Sequence, residues 1–383
     1  LTVSTGISAA QIVKTSDSDA AEIIKRVPGI SLIENRFIIV RGLSQRYNNV
    51  SINNGAVPSS EADGRAFSFD IIPSSNIDNM MIIKSPTAEL PGDFSGGFIK
   101  ISTKNMPDEN SLSLSVGTGI NTVTHFKDFS LLQSSSTEWL GFDRCARPLS
   151  KDFPSHLGSI TDPSQITYYT KTGFNNDWNV KTFRPLPDLK LNLTWNRKIG
   201  DKVGTILTFG YSNANKTIPD MQNTRYGIYS ATADVPTIEK NYIDNQFTNE
   251  VKINAMNNWS FILDSRNRFE FRNLFSQIGK NRFTERYGTS TVSGEYYENQ
   301  TEMLYSSRLS YVGQLAGLHT LDEDMTQTLN WTVDYSYANK MEPDRRIIKN
   351  IGGIPADKVI TPDLPSYNDM INRYDQKLYD HIA

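Results

Sequence analysis

Gly92-Asp93-Phe94-Ser95-Gly96-Gly97 sets a serine among glycines beside a carboxylate, the kind of turn in which a hydroxyl can become a nucleophile. Phe94 separates the aspartate from Ser95 and moves the hydroxyl out of the turn that a GDSGG nucleophile needs. The four histidines are scattered and none stands in a supporting sequence, so no base is at hand and no triad is read here. The same scatter gives no spacing for a metal cluster. Cys145 is the sole cysteine, which excludes an intramolecular disulfide.

The 383 residues are 38% hydrophobic and 21% charged, with a net charge of −3. That balance lacks the basic excess expected of a nucleic-acid binder. Mean hydropathy is −0.44. The longest apolar runs, such as Phe37–Val40 and Met80–Ile83, fall far short of the roughly 18 residues a membrane helix needs. This excludes helical spans only, because transmembrane strands alternate outward apolar with inward polar residues and average out as hydrophilic. The chain opens on Leu1-Thr2-Val3 with neither a methionine nor a secretory signal, as expected of a processed or truncated product.

The elements that carry the glycine-rich motif read as a small α/β unit. Ala20, Ala21, Ile23, Ile24 and Val27 recur at helical spacing, which predicts a helix over 16–27, capped by Asp17 or Asp19 and stopped by Pro28-Gly29. Short strands are expected at 37–40, 48–52, 80–84 and 98–102, with a short helix at 73–79. Asn53-Asn54-Gly55 supplies a turn where positive φ costs little.

Four signatures follow one another here: DAAEIIKRVPGI, FIIVRGLSQRYNNVSINNG, FDIIPSSNIDNMMIIKSP and LPGDFSGGFIKISTK. In this order they resemble the plug domain of bacterial TonB-dependent outer-membrane receptors, closest to the Bacteroidetes type. The plug motif would comprise Arg41, Gly42, Arg46, Asn53, Gly55, Gly92, Gly96 and Gly97. Asn53-Asn54-Gly55 departs from the family, which usually has a single Asn before Gly. The resemblance implies a mainly β fold: a small α/β plug inside a large antiparallel transmembrane β-barrel of about 22 strands. The expected division is a linker at 1–18, the plug at 19–105 and barrel at 106–383.

The rest of the chain shows the strands that a plug demands. Leu189, Leu191, Leu193 and Trp195 alternate with polar residues, a tight turn follows at Gly200-Asp201, and Val203 to Tyr211 alternate again. Phe269, Phe271 and Phe275 lie opposite Arg268, Glu270 and Arg272, and Leu329 to Tyr337 repeat the pattern. Seven strands are read, at about 111–119, 188–199, 202–213, 246–263, 266–283, 301–313 and 326–340. Loops of about 65, 30 and 15 residues alternate with turns of a few, the asymmetry of outer loops and periplasmic turns. The polar stretch 341–383 reads as a further outer loop. Trp195, Trp259, Trp331 and Tyr335 are candidates for the interfacial aromatic belt.

The resemblance implies a receptor rather than an enzyme, with no cofactor. It would bind a scarce extracellular solute and admit it to the periplasm when the TonB complex pulls on the plug through a box upstream of Leu1. Outer-membrane lipid is the other expected partner, with a surface lipoprotein or envelope assembly as a further one. The loop after Asn53-Asn54-Gly55 would face the ligand, through Asn54, Ser59, Ser60, Glu61, Asp63 and Arg65. Arg41, Arg46 and Lys100 would pair with inward carboxylates such as Glu250, Glu270 or Asp334. Aromatics of the 121–187 loop, including Trp139, Phe142, Phe153, Tyr168, Tyr169 and Trp178, would either stack on solute or form the loop's own core. Two other readings stand beside this one: a receptor-like barrel serving as a structural subunit without transport, and a soluble carbohydrate-binding β-protein.

Overall fold

A computed structural model describes residues 4–15, 19–59, 66–88, 90–132, 135–143, 146–292, 294–322, 324, 326–365 and 368–382. The N-terminal unit begins with β1 (Ser4–Ser8) and α1 (Ala9–Val13), followed by α2 (Ala20–Ile24). It continues through β2 (Ile30–Ile33), β3 (Phe37–Val40), β4 (Asn49–Ile52), β5 (Gly55–Ala56), β6 (Ile77–Ile83) and β7 (Phe98–Thr103). Its main sheet has the order β1-β6-β7-β4-β5, with β4 and β7 parallel. Ser4–Ser8, expected to lie in a linker, pairs antiparallel with β6 and belongs to this sheet. Of the helix expected over 16–27, residues 16–18 lie outside the described residues, and among the rest the regular helix is Ala20–Ile24, where all four aliphatic side chains are buried. The Asp19 carboxylate caps it by accepting from the Glu22 amide at 3.1 Å.

The wall is one antiparallel sheet of eight strands. It comprises β8 (Ser111–Gly119), β11 (Asp188–Ile199), β12 (Val203–Ser230), β13 (Val235–Ile262), β14 (Asn267–Ser290), β15 (Tyr296–Thr320), β16 (Thr328–Gly352) and β17 (Asn368–Ile382). Between β8 and β11 the chain forms β9 (Phe129–Leu132), α3 (Pro163–Thr172) and β10 (Val180–Phe183), with β9 and β10 paired. Strands β12 to β16 run 24 to 28 residues, more than twice the roughly 9–11 that cross a bilayer.

The wall corrects the sequence reading at one end of the strands. Residues 341–383 are not an outer loop: β16 continues to Gly352 and β17 adds an eighth strand to the expected seven. The stretches between 213 and 246 and between 283 and 301 are strand pairs as well, turning near 231–234 and 291–295. Both faces of the β12–β13 extension are largely exposed, so no apolar alternation marks it as strand.

Register assigns the wall's two faces. Ile206, Met256, Leu274, Ile278 and Val312 share one hydrophobic core with Ile24, Ile72, Met80 and Ile99 of the N-terminal unit. Their odd-numbered neighbours on the central strands point the other way.

Candidate functional site

The seam between the N-terminal unit and the wall gathers polar groups that the sequence scatters. Phe69 is buried edge-on against Phe67 in a short 3₁₀ turn, which leaves its neighbours Ser68 and Asp70 directed at the wall. Arg308 on β15 donates to Asp70 Oδ2 at 2.6 Å, to Oδ1 at 3.3 Å and to Ser68 Oγ at 2.6 Å. Burial opposes the Asp70 charge most strongly. The charges of Arg308 and Lys252, with hydrogen bonds from Arg308 and Ser68, outweigh it and hold the carboxyl well below the usual range.

A second link lies close by. Asp19 caps α2 with one oxygen and meets Lys252 of β13 with the other at 3.5 Å. Here burial prevails over Lys252 and the helix amide, so the Asp19 pKa is raised. A third link is neutral: Thr208 of β12 donates to Asn76 Oδ1 at 2.6 Å, with both side chains buried.

Glu250, Glu270 and Asp334 do face the N-terminal unit, but their partners differ from those expected. Lys252 pairs with Glu250, and Arg268 and Arg272 pair with Glu270, which also accepts from Asn105. Asp334 accepts from the Ala56 backbone. The ion pairs across the seam among the described residues therefore carry acid on the N-terminal unit and cation on the wall, the reverse of the pattern with Arg41, Arg46 and Lys100. Arg41 is exposed and Arg46 lies over the Tyr47 ring.

The glycine motif is structural. Tyr47 O accepts from both Ser95 N and Gly96 N at 3.0 Å, and Asn49 donates to Asp93 at 2.6 Å. A Cβ on Gly97 would press on Val40 at 3.1 Å, so the PGDFSGG, RYNN and FIIV segments lock together. Arg41 and Gly42 take φ of 53° and 77° where the chain leaves β3, while Gly92 lies in open space.

Asn53 and Asn54 both adopt positive φ, 50° and 67°, and Ile52 pairs with Gly55 across them. That is a two-residue hairpin with the geometry that Asn and Gly favour, and it accounts for the second Asn. Gln314 donates to Ile52 O at 2.8 Å and accepts from Asn53 at 3.2 Å. Gln314 and Asp334 pair near the Thr320 and Thr328 ends of their strands, so Asn54 sits toward the tight turns and away from the long extensions. Farther on, Ser59 donates its amide to Asp380 at 2.8 Å and its hydroxyl to Ala66 O at 3.1 Å. Ser60, Glu61, Asp63 and Arg65 lie outside the described residues.

Beside these contacts a cavity of about 650 Å³ separates the two bodies. Glu22, Lys25 and Glu34 line one side, and Lys190, Lys216 and Lys280 the other. The opposite face of the wall is apolar. Leu112, Leu114, Trp195, Phe271, Leu315, Val333 and Tyr335 are all exposed on it. Trp259 stacks on Phe261, and Trp331 donates to His319 at 3.0 Å. Part of the aromatic set of the 121–187 segment is packed. Arg346 and Arg373 lie over Trp178 and Phe174, and Phe153 meets Tyr169 and Phe174. Phe126, Trp139, Phe142, Tyr168 and Phe183 are exposed.

The seam residues Asp70, Arg308, Asp19, Lys252 and Thr208 were not singled out by sequence reasoning as a site. The available signal was a cation, Arg308, on the same strand face as Val312 and Gln314.

Residues 1–98 match the family described as the TonB-dependent receptor plug domain. No curated protein matches the chain. Among solved structures, the ferric enterobactin receptor of Pseudomonas aeruginosa is 12% identical, with a TM-score of 0.40 over 92% of this chain and 56% of that one. The RagAB peptide importer is 10% identical, with a TM-score of 0.42 over 98% and 51%. The ferric yersiniabactin uptake receptor of Yersinia pestis is 10% identical, with a TM-score of 0.36 over 99% and 61%. The chain spans about half the length of such structures. Residues 1–98 thus form a TonB-dependent receptor plug domain, seated against an antiparallel wall whose far face is apolar.

Proposed function

We propose that the chain forms the stopper and part of the wall of an active importer, which captures an extracellular solute and admits it when the TonB complex displaces the plug. The observation that carries this reading is the seam itself. The plug is held by discrete polar links and a shared apolar contact beside a charged cavity of about 650 Å³, an arrangement that leaves the wall's own strand pairing independent of the plug. The segment between Ser59 and Ala66 is the proposed solute contact on the plug. Uptake unchanged in Asp63→Ala and Arg65→Ala would count against that assignment.

The test is a reversible lock. Asn76→Cys with Thr208→Cys, in a Cys145→Ser background, places two thiols where the native side chains touch. Cells would be offered a panel of iron–siderophore, cobalamin, glycan and peptide solutes. Uptake of the true solute should stop when the bridge is oxidised and return on reduction, while surface binding persists. Uptake that continues through the oxidised lock overturns the mechanism.

A second reading, a structural subunit bound to a surface protein, draws on the β12–β13 extension. Its tip exposes Tyr226, Ile228, Tyr229 and Val235, with Ile228 85% exposed. Identifying the proteins that co-purify with the detergent-extracted receptor, with and without Ile228→Asp, tests for a partner there.

A further inference from the structure

The segment between β8 and β11 packs on the face of the wall that points away from the plug. Phe129 of β9 joins Phe247, Phe283 and Met303 in a buried cluster, all odd-numbered and therefore opposite the plug-facing side. Gln277 on the same face donates to Gly141 O at 2.5 Å, and Asn281 donates to Glu138 at 3.1 Å. The segment is thus a strap around the outside of the wall.

The height at which the strap begins is informative. On β14 the outward positions from the tight turn upward are Phe269, Phe271, Asn273 and Phe275, and then Gln277, fully buried beneath Gly141. Arg268 to Gln277 is about ten residues, the length of strand that crosses the hydrocarbon core. The strap also starts with its polar interior at this level. Arg147 and Glu138 pair at 2.6 Å, both nearly buried, and Arg147 lies over the Tyr305 ring. The strap therefore occupies the outer surface where hydrocarbon ends.

Its rim is apolar. Trp139, 58% exposed, neighbours the Gly141 contact, while Phe126 and Leu186 are 57% and 73% exposed. Phe126 donates its amide to Pro185 O at 3.1 Å, and His125 meets Asp188 at 3.2 Å, which ties this corner to the head of β11. Leu189 and Val116 follow directly below on the exposed apolar face. We propose that Phe126, Trp139 and Leu186 lie in the outer-leaflet interface, making the strap a collar that seats the wall at a fixed depth in the membrane. The continuity of this rim with the lipid-facing band selects lipid as its occupant, because Trp and exposed apolar side chains favour that zone. The inference is independent of whether the protein imports a solute.

The test uses the full receptor in phosphatidylcholine vesicles carrying a nitroxide either near the headgroup or deep in the acyl chain. The contribution of Trp139 is the fluorescence difference between the wild type and Trp139→Phe, and Trp195→Phe supplies the reference for the lipid-facing band. Trp139 emission should fall about twofold with the shallow nitroxide and much less with the deep one, as expected for an interfacial ring. Resistance to boiling-free denaturation on gels confirms that each variant is folded. Quenching of Trp139 by aqueous iodide but by neither lipid probe would place the strap in water. Quenching by none of the three would place it under a partner protein. Either result overturns the proposal.

Discussion

Arg308 reaches from the wall and grips both oxygens of Asp70 while also donating to Ser68, so one guanidinium closes the polar latch of the plug. Both side chains are nine-tenths buried or close to it. Removing one partner strands the other as an uncompensated charge, a loss of about 3–5 kcal/mol. Arg308→Met should therefore loosen the plug by about that amount in denaturant unfolding. Asp70→Asn combined with Arg308→Met should recover part of it. Equal stability of the single and double variants would show that the pair does not hold the plug.

Acid should act on the two latch carboxylates in opposite senses. Asp70 has a native pKa below its unfolded value, so its contribution is complete above the ordinary carboxylate pKa of about 3.9 and is lost as pH falls through the lower native value. Asp19 is raised, chiefly by burial, so protonation favours the native state as pH falls through its native value toward the ordinary one. Unfolding midpoints measured against pH should lose the mild-acid gain in Asp19→Asn. The strong-acid loss should be smaller in Asp70→Asn.

Asn54 distinguishes a turn residue from a ligand contact. Its φ of 67° is cheap for Asn or Gly and costs a β-branched residue about 1–2 kcal/mol. Asn54→Gly should leave both stability and solute binding intact, whereas Asn54→Val should lower plug stability by that amount. Solute affinity that falls in Asn54→Gly without loss of stability would restore it to the binding surface.

The sequence made the strand faces legible wherever one face meets lipid or plug. Phe269, Phe271 and Phe275 against Glu270 and Arg272 gave the correct sides, and Gly200-Asp201 gave the turn. The β12–β13 extension and β17 were hidden because water reaches both of their faces, so alternation carries no apolar signal there. The plug motifs were visible one by one, but only folding brings Tyr47 O to Ser95 and Gly96. The latch was invisible for a similar reason. Asp70 and Arg308 are 238 positions apart, and no local periodicity links a loop acid to a distant strand cation.

Gly279 should be the wedge point of the strap. A Cβ built there would stand 2.5 Å from Gly141 Cα and 2.7 Å from its carbonyl oxygen, and neither backbone atom can rotate away. Gly279→Val forces the strap outward at a cost of about 1–3 kcal/mol. The wall pairing of β14 with β13 and β15 survives, since valine is at home in a strand. A change of one or two kcal/mol shifts a local opening equilibrium by a factor of about 5–30. Amide exchange across 135–143 should accelerate by that factor while the Arg346–Trp178 contact holds the far end of the strap. Gly117→Ala is the control, because its Cβ meets only ordinary contacts with Lys190 at 3.6 Å. Exchange at 135–143 that is unchanged in Gly279→Val would mean that the strap does not rest on the wall, and the collar would fall with it.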